Sequence, residues 1–143
     1  MTRVDFYVSP NQSAEANLQV TCRIAEKAYG KQNRVYIHTN DQEQAKHIDD
    51  MLWIFNQGSF IPHCQANDEQ QAQAQIVIGY DTPPEQQSDV LINLSHEVPS
   101  FFSRFERVIE IVSGDENTRN LARNRFKFYR ERGYPLESHE LNR

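Results

Sequence analysis

Glycine is scarce and scattered in this 143-residue chain. Its five glycines, Gly30, Gly58, Gly79, Gly114 and Gly133, never fall two within six residues. Neither GxGxxG nor GxxxxGK(S/T) can therefore be built, and no glycine-rich cradle for a phosphate is available. Cysteine is nearly absent. Cys22 and Cys64 are too few for a disulfide scaffold and read as reduced, buried thiols. No apolar run approaches the roughly 18 residues that a membrane span needs. The opening "MTRVDFYVSP" has no apolar signal core, which predicts a cytoplasmic protein. The five histidines (His38, His47, His63, His96 and His139) are dispersed, and HExxH, CxxC and GxSxG are all missing. His63 and Cys64 are neighbours, but adjacent strand residues point to opposite faces. Asp49 and Asp50 diverge from one another on a helix and read as solvated charge. These absences predict no catalytic residues, no metal and no cofactor, and they favour a binding module.

What is present describes one α/β domain. The composition, 38% hydrophobic and 24% charged, is that of a globular chain, and the length suits a core on both sides of a sheet. Short runs rich in Val, Ile, Phe and Tyr predict strands at 3–9, 34–39, 59–64, 75–80, 89–95 and 107–113. Between the first two, Leu18, Cys22, Ala25 and Tyr29 form one helical stripe, with Gly30 as its terminator. Ala45, Ile48, Leu52 and Phe55 mark a second helix, for which Asp41 and Gln44 can form a capping pair. A third, short helix is expected around "EVPSFFSRFE". A last helix follows, stopped by Gly133 and Pro135. Helices alternating with short apolar strands predict a mostly parallel sheet with helices on both faces. The last residues, about 136–143, read as a flexible tail.

The last helix is the anomaly. "RNLARNRFKFYRERGY", residues 119–134, carries six basic residues and one acid, +5 in a chain of net charge -5, so the remainder carries -10. An acidic body of that kind is expected to repel phosphate everywhere except at this one patch. At 100° per residue, Arg119, Arg123, Lys127 and Arg130 share one side, with Phe126 at its edge. Arg125 falls on the apolar side, where a buried guanidinium needs a carboxylate partner on the sheet. Like charges spaced i,i+4 repel by a few tenths of a kcal/mol per pair. An anionic ligand would relieve that repulsion, and Phe126 would give it an apolar anchor. Trp53 lies roughly 130° off the apolar stripe of its own helix. It is either a binding hot spot or a ring lying flat over a neighbouring element. Phe60, after a Gly-Ser turn, is either a protruding aromatic or the core residue at a strand end.

Taken in order, these marks resemble the chi-subunit family of bacterial DNA polymerase III. The matching segments are "FY" (Phe6, Tyr7), "LW" (Leu52, Trp53), "SFIPH" (59–63), "DVLINL" (89–94) and "LARNRFKFYRERGY" (121–134). The resemblance runs from end to end. It implies a Rossmann-like domain with no nucleotide. It also implies an accessory subunit with no activity of its own, part of a DNA-directed DNA polymerase and its clamp loader. Two partners follow from it: the psi subunit, bound one to one, and the acidic C-terminal tail of single-stranded-DNA-binding protein, which ends in Ile-Pro-Phe or similar. Arg123 matches the central tail-binding arginine, Arg119 and Lys127 its basic neighbours, and Phe126 an aromatic that is often tyrosine. Val112 and Trp53 match apolar positions around the same pocket, and Arg130 can meet acids upstream in the tail. Phe60 matches the aromatic anchor for psi, with Ile61 and Pro62 beside it. Two other readings stand against this one. The basic, aromatic helix could bind single-stranded nucleic acid directly, or a small enzyme site could lie at the strands' carboxyl ends, which needs a pocket of converging polar residues.

Overall fold

The computed structural model describes residues 1–10, 14–54, 63–65, 74–85, 87–113 and 115–141, without the side chains of 14–16. Among the described residues, seven strands form one sheet in the order β3-β4-β2-β5-β6-β1-β7. They are β1 (Arg3–Val8), β2 (Val35–His38), β3 (His63–Gln65), β4 (Ile76–Gly79), β5 (Val90–Asn93), β6 (Arg107–Val112) and β7 (Leu136–Glu140). Every pairing is parallel. The helices are α1 (Ala14–Gly30), α2 (Gln42–Ile54) and α3 (Glu116–Glu131).

Period-two alternation divides the core between two faces. Val35 and Ile37 of β2 join Ile109 and Ile111 of β6 on the first face, with Cys22 and Ala25 of α1 and Ala45, Ile48 and Leu52 of α2. Tyr36, Val108 and Val112 point to the second face, with Ala122 and Tyr129 of α3. This is the expected α/β arrangement with helices on both sides. The central strands β4 and β5 are buried at every position, which is why they read as continuous apolar runs.

Local chemistry fixes the helix ends. The Asp41 carboxylate accepts the Gln44 N–H at 2.8 Å, and Gln44 Oε1 accepts the Asn40 N–H at 2.9 Å. The capping pair therefore forms, shifted by one residue on its return arm. Asp115 caps α3 by accepting the Thr118 N–H at 2.9 Å and the Ser113 hydroxyl's hydrogen bond. Those bonds hold its carboxyl down at about 2. Gly133 takes φ +80° and closes α3 with bonds from Gly133 N–H to Arg130 O and from Tyr134 N–H to Tyr129 O, a Schellman motif.

Two expectations need correction. "EVPSFFSRFE" makes only a 3-10 turn, Phe102–Arg104. Residues 136–140, expected to be loose, pair along the whole outer side of β1 as β7. "LESHE" has a poor strand composition, but an exposed edge strand needs backbone pairing more than apolar side chains.

Candidate binding cleft beside the last helix

The neighbours β1 and β6 lead in chain order to helices on opposite faces, β1 to α1 and β6 to α3. A crevice opens outside the carboxyl ends of two such strands. On the α3 side, a cavity of about 180 Å³ is lined by Phe6 and Val8 of β1, Val112 of β6, Ser138 of β7, and Arg119, Ala122, Arg123 and Phe126 of α3. The four α3 residues follow i, i+3, i+4, i+7, one helical stripe. Among the described residues, the cleft is apolar except for two arginines and one serine.

A buried network sets the rotation of α3 about its axis. The fully buried Glu110 of β6 accepts from Arg125 Nε at 2.9 Å, from Asn93 Nδ2 at 2.9 Å and from the Tyr129 hydroxyl at 2.7 Å. Arg125 also donates to His96 O at 3.0 Å. Burial pushes the Glu110 carboxyl up, and the Arg125 charge with its three donors pushes back. The carboxylate partner required by Arg125 is thus present. Beside it, the Phe102 ring meets Phe128, Tyr129 and Tyr134 at centroid distances of 6.0, 5.3 and 5.0 Å. These three aromatics of the basic segment belong to packing. Phe126 is left for the cleft, edge-on to Phe6 at 5.3 Å.

The two cleft arginines differ. Arg119 lines the cleft, and its Nε is buried with no hydrogen-bond partner. Arg123 is exposed and donates to Asn120 Oδ1 at 2.6 Å, a surface bond that is easily exchanged for a ligand.

Of the residues expected around this pocket, Arg119, Arg123, Phe126 and Val112 come together. Lys127 and Arg130 are exposed farther along α3 and stay outside the lining. Trp53 does not reach it. It sits on α2, on the other face, with its ring 4.6 Å from that of His63 on β3, the far edge of the sheet from β1 and β7. Angular position on a helix says that a residue is off the core stripe, but not which face of the sheet the helix covers. Phe60, Ile61 and Pro62 lie outside the described residues. Phe6, Val8, Ala122 and Ser138 were not expected around this pocket. The first three look like ordinary core residues, and Ser138 lies in the strand that went unrecognised.

A second cleft, of about 520 Å³, opens at the carboxyl ends of β2, β4 and β5, where His38, Asp81, His96 and Glu97 are among the lining residues. A small enzyme would use this place. Several of its polar groups hold loops together: the Thr39 hydroxyl bonds Gly79 O, the Tyr36 hydroxyl Asp81 O, and Asn40 Oδ1 the His96 N–H. Burial pushes the His38 imidazole down, favouring its neutral form, and its Nδ1 has no hydrogen-bond partner. Among the described residues, the one His/Cys/Asp/Glu group able to surround a metal ion lies elsewhere, at Asp5, Glu137 and His139. There Arg107 and Arg3 already flank the Asp5 carboxylate.

Residues 1–137 match the family model described as DNA polymerase III chi subunit, HolC. The chain is 47% identical over 143 residues to DNA polymerase III subunit chi of Pseudomonas aeruginosa, covering 100% of this chain and 99% of that one. It is 30% identical over 146 residues to the subunit of the same name from Escherichia coli, covering 96% and 97%. Identity to the Haemophilus influenzae subunit is 28% over 137 residues, covering 95% of each.

Proposed function

The chain belongs to the DNA polymerase III chi-subunit family, and on that footing we propose how this replication accessory subunit works within its complex. The α3 cleft receives the C-terminal tail of single-stranded-DNA-binding protein, and the far edge of the sheet receives the psi subunit. The subunit links the polymerase to coated lagging-strand DNA and has no catalytic step of its own.

One observation carries the tail assignment: a small apolar slot whose only charged groups are two arginines, one with a buried unpartnered Nε. An aromatic side chain fills such a slot. The carboxylate of the same terminal residue then lies within reach of the Arg123 fork, which binds carboxylates in a bidentate way. Arg119 supplies a further positive charge from the cleft wall. Lys127 and Arg130, outside the slot, meet acids upstream in the tail and speed encounter more than they tighten the complex. Phe126 has no hydroxyl, so its part is apolar contact.

A micromolar complex needs about 8 kcal/mol, and exposed ion pairs give only about 0–1 kcal/mol each. The buried ring and its paired carboxylate must therefore dominate. The expected result is that Arg123→Ala lowers affinity for a labelled peptide ending Asp-Ile-Pro-Phe by about tenfold or more, measured by fluorescence anisotropy. A loss no larger than that of Arg130→Ala would remove the assignment.

For psi, the support is an apolar patch on α2. Trp53 is 55% exposed and Ile54 is 73% exposed, immediately before the segment that carries Phe60, Ile61 and Pro62. Trp53 therefore moves in this proposal from the tail pocket to the psi surface. It is the one tryptophan of the chain, so its fluorescence distinguishes the two partners. Adding psi is expected to shift the emission, and adding tail peptide to leave it unchanged. The opposite pattern would return Trp53 to the tail site.

A further inference from the structure

We propose that the opposite face of β1 and β6 carries a second binding site, a basic groove that holds the phosphodiester backbone of single-stranded nucleic acid. On the first face α1 covers β6 and leaves an open shelf toward β7. A cavity of about 470 Å³ lies there, with Val20, Ile24, Ala28 and Ile109 as its floor. Arg3 and Arg107 rise from the strands, and Arg23, Lys27 and Lys31 from α1 and the turn after it. Five cations surround this groove, and among the described residues no acid lines it.

Two nearby carboxylates, Asp5 and Glu137, already have partners. Asp5 lies beneath the shelf and accepts from Arg107 Nε at 2.7 Å and Arg3 Nε at 3.4 Å, with His139 Nε2 3.1 Å away. Glu137 of β7 is 3.7 Å from the same His139 nitrogen. Arg107 is held again by the Tyr7 hydroxyl at 3.0 Å, so its guanidinium is positioned before any ligand arrives. Arg23, Lys27 and Lys31 follow one another at four-residue intervals. Along a helix that is a row of like charges about 6 Å apart, which repel one another.

The form of the charge identifies the occupant. Two cations around about 180 Å³ suit one terminal carboxylate, as in the α3 cleft. Five around about 470 Å³ suit a ligand whose charge repeats along its length. Every nucleotide brings one such charge, whereas a peptide needs an unbroken run of acids to match it. The apolar floor can take the faces of bases without reading their sequence. The expectation of a single basic patch on an otherwise acidic body is corrected by these five cations, which come from two strands, α1 and the turn after it and meet only after folding.

The test is anisotropy of labelled oligo-dT at low salt, with labelled poly-glutamate beside it. Wild type is expected to bind the oligonucleotide. Lys27→Glu/Lys31→Glu, at two exposed positions, is expected to weaken binding at least tenfold. It should also reduce the log–log salt slope by about 1.4, two contacts at about 0.7 each. Arg123→Ala should leave this binding unchanged. Lys46→Glu/Arg104→Glu makes the same change of net charge away from the groove and should have a much smaller effect, with circular dichroism checking the fold of each variant. Absence of oligonucleotide binding by wild type, equal weakening by either control variant, or poly-glutamate bound as tightly as oligo-dT would each overturn the proposal.

Discussion

β1 and β6 lie side by side, and each buries one carboxylate, but on opposite faces. Glu110 of β6 sits beneath α3, and its partners Arg125, Asn93 and Tyr129 are buried with it. Asp5 of β1 sits under an open shelf, and its partners Arg3, Arg107 and His139 have side chains 55%, 32% and 38% exposed. The two acids are equally hidden, yet water can replace the lost partner in one case only. The difference teaches that the cost of breaking an ion pair depends on where its partners lie. On the covered face the pair fixes a helix and therefore shapes a cleft. On the open face it only neutralises an acid, leaving neighbouring cations available to a ligand.

The largest effect should come from breaking the covered pair. Arg125→Ala leaves Glu110 sealed from water without its counter-charge, and is expected to cost about 3–5 kcal/mol of stability in urea unfolding. Replacing both partners by leucine should recover a good part of that loss, since apolar side chains of similar size need no solvation. Because this network sets the rotation of α3, tail affinity should also fall in Arg125→Ala, although Arg125 does not line the cleft. A cost below about 1 kcal/mol would erase the distinction between the two faces.

Asp5→Asn is the matching change on the open face, with an expected cost of about 1–3 kcal/mol. The cost should depend on pH. Burial pushes the Asp5 carboxyl up, but His139, Arg107 and Arg3 outweigh it and leave the group below its ordinary 3.8. A carboxyl lowered by folding contributes stability that is fully present above its unfolded value and is lost as pH falls through the folded one. Thermal unfolding from pH 6 down to 2 should therefore show the gap between wild type and Asp5→Asn narrowing below about pH 4. A constant gap would mean that shape, not charge, accounts for the loss.

Much of this contrast can be read from the chain, and the remainder depends on proximity in space. Arg125 stands out because a guanidinium on an apolar helix side must find a carboxylate, and Glu110 supplies it. The helices and central strands are legible because their periodicities are produced by the same burial that stabilises them. β7 is not legible, since an edge strand made of "LESHE" is held by pairing to β1. The cleft is only half legible. Arg119, Arg123 and Phe126 announce themselves by charge and spacing, while Phe6, Val8 and Ser138 matter only because α3 crosses beside β1 and β7. The α1 groove escapes for the same reason: Arg3 and Arg107 become neighbours only through the register of β1 and β6.

The exposed end of the series is the most sensitive test of the idea that depth sets energy. Lys127 and Arg130 carry the same charge as Arg123 and Arg125, on the same helix, at exposed positions. Their contribution to tail binding should be small, under about 1 kcal/mol each, and should vanish first as salt rises. Lys127→Ala and Arg130→Ala are therefore expected to lower the association rate severalfold at low salt and to leave dissociation almost unchanged, as read by stopped-flow fluorescence. At an ionic strength near 1 M, where screening acts within about 3 Å, both variants should match wild type while Arg123→Ala stays impaired. If all three lost affinity in parallel across the salt series, the cleft would be binding by diffuse charge. The apolar slot would then have no special part, and the two faces of the sheet would differ only in how many cations each displays.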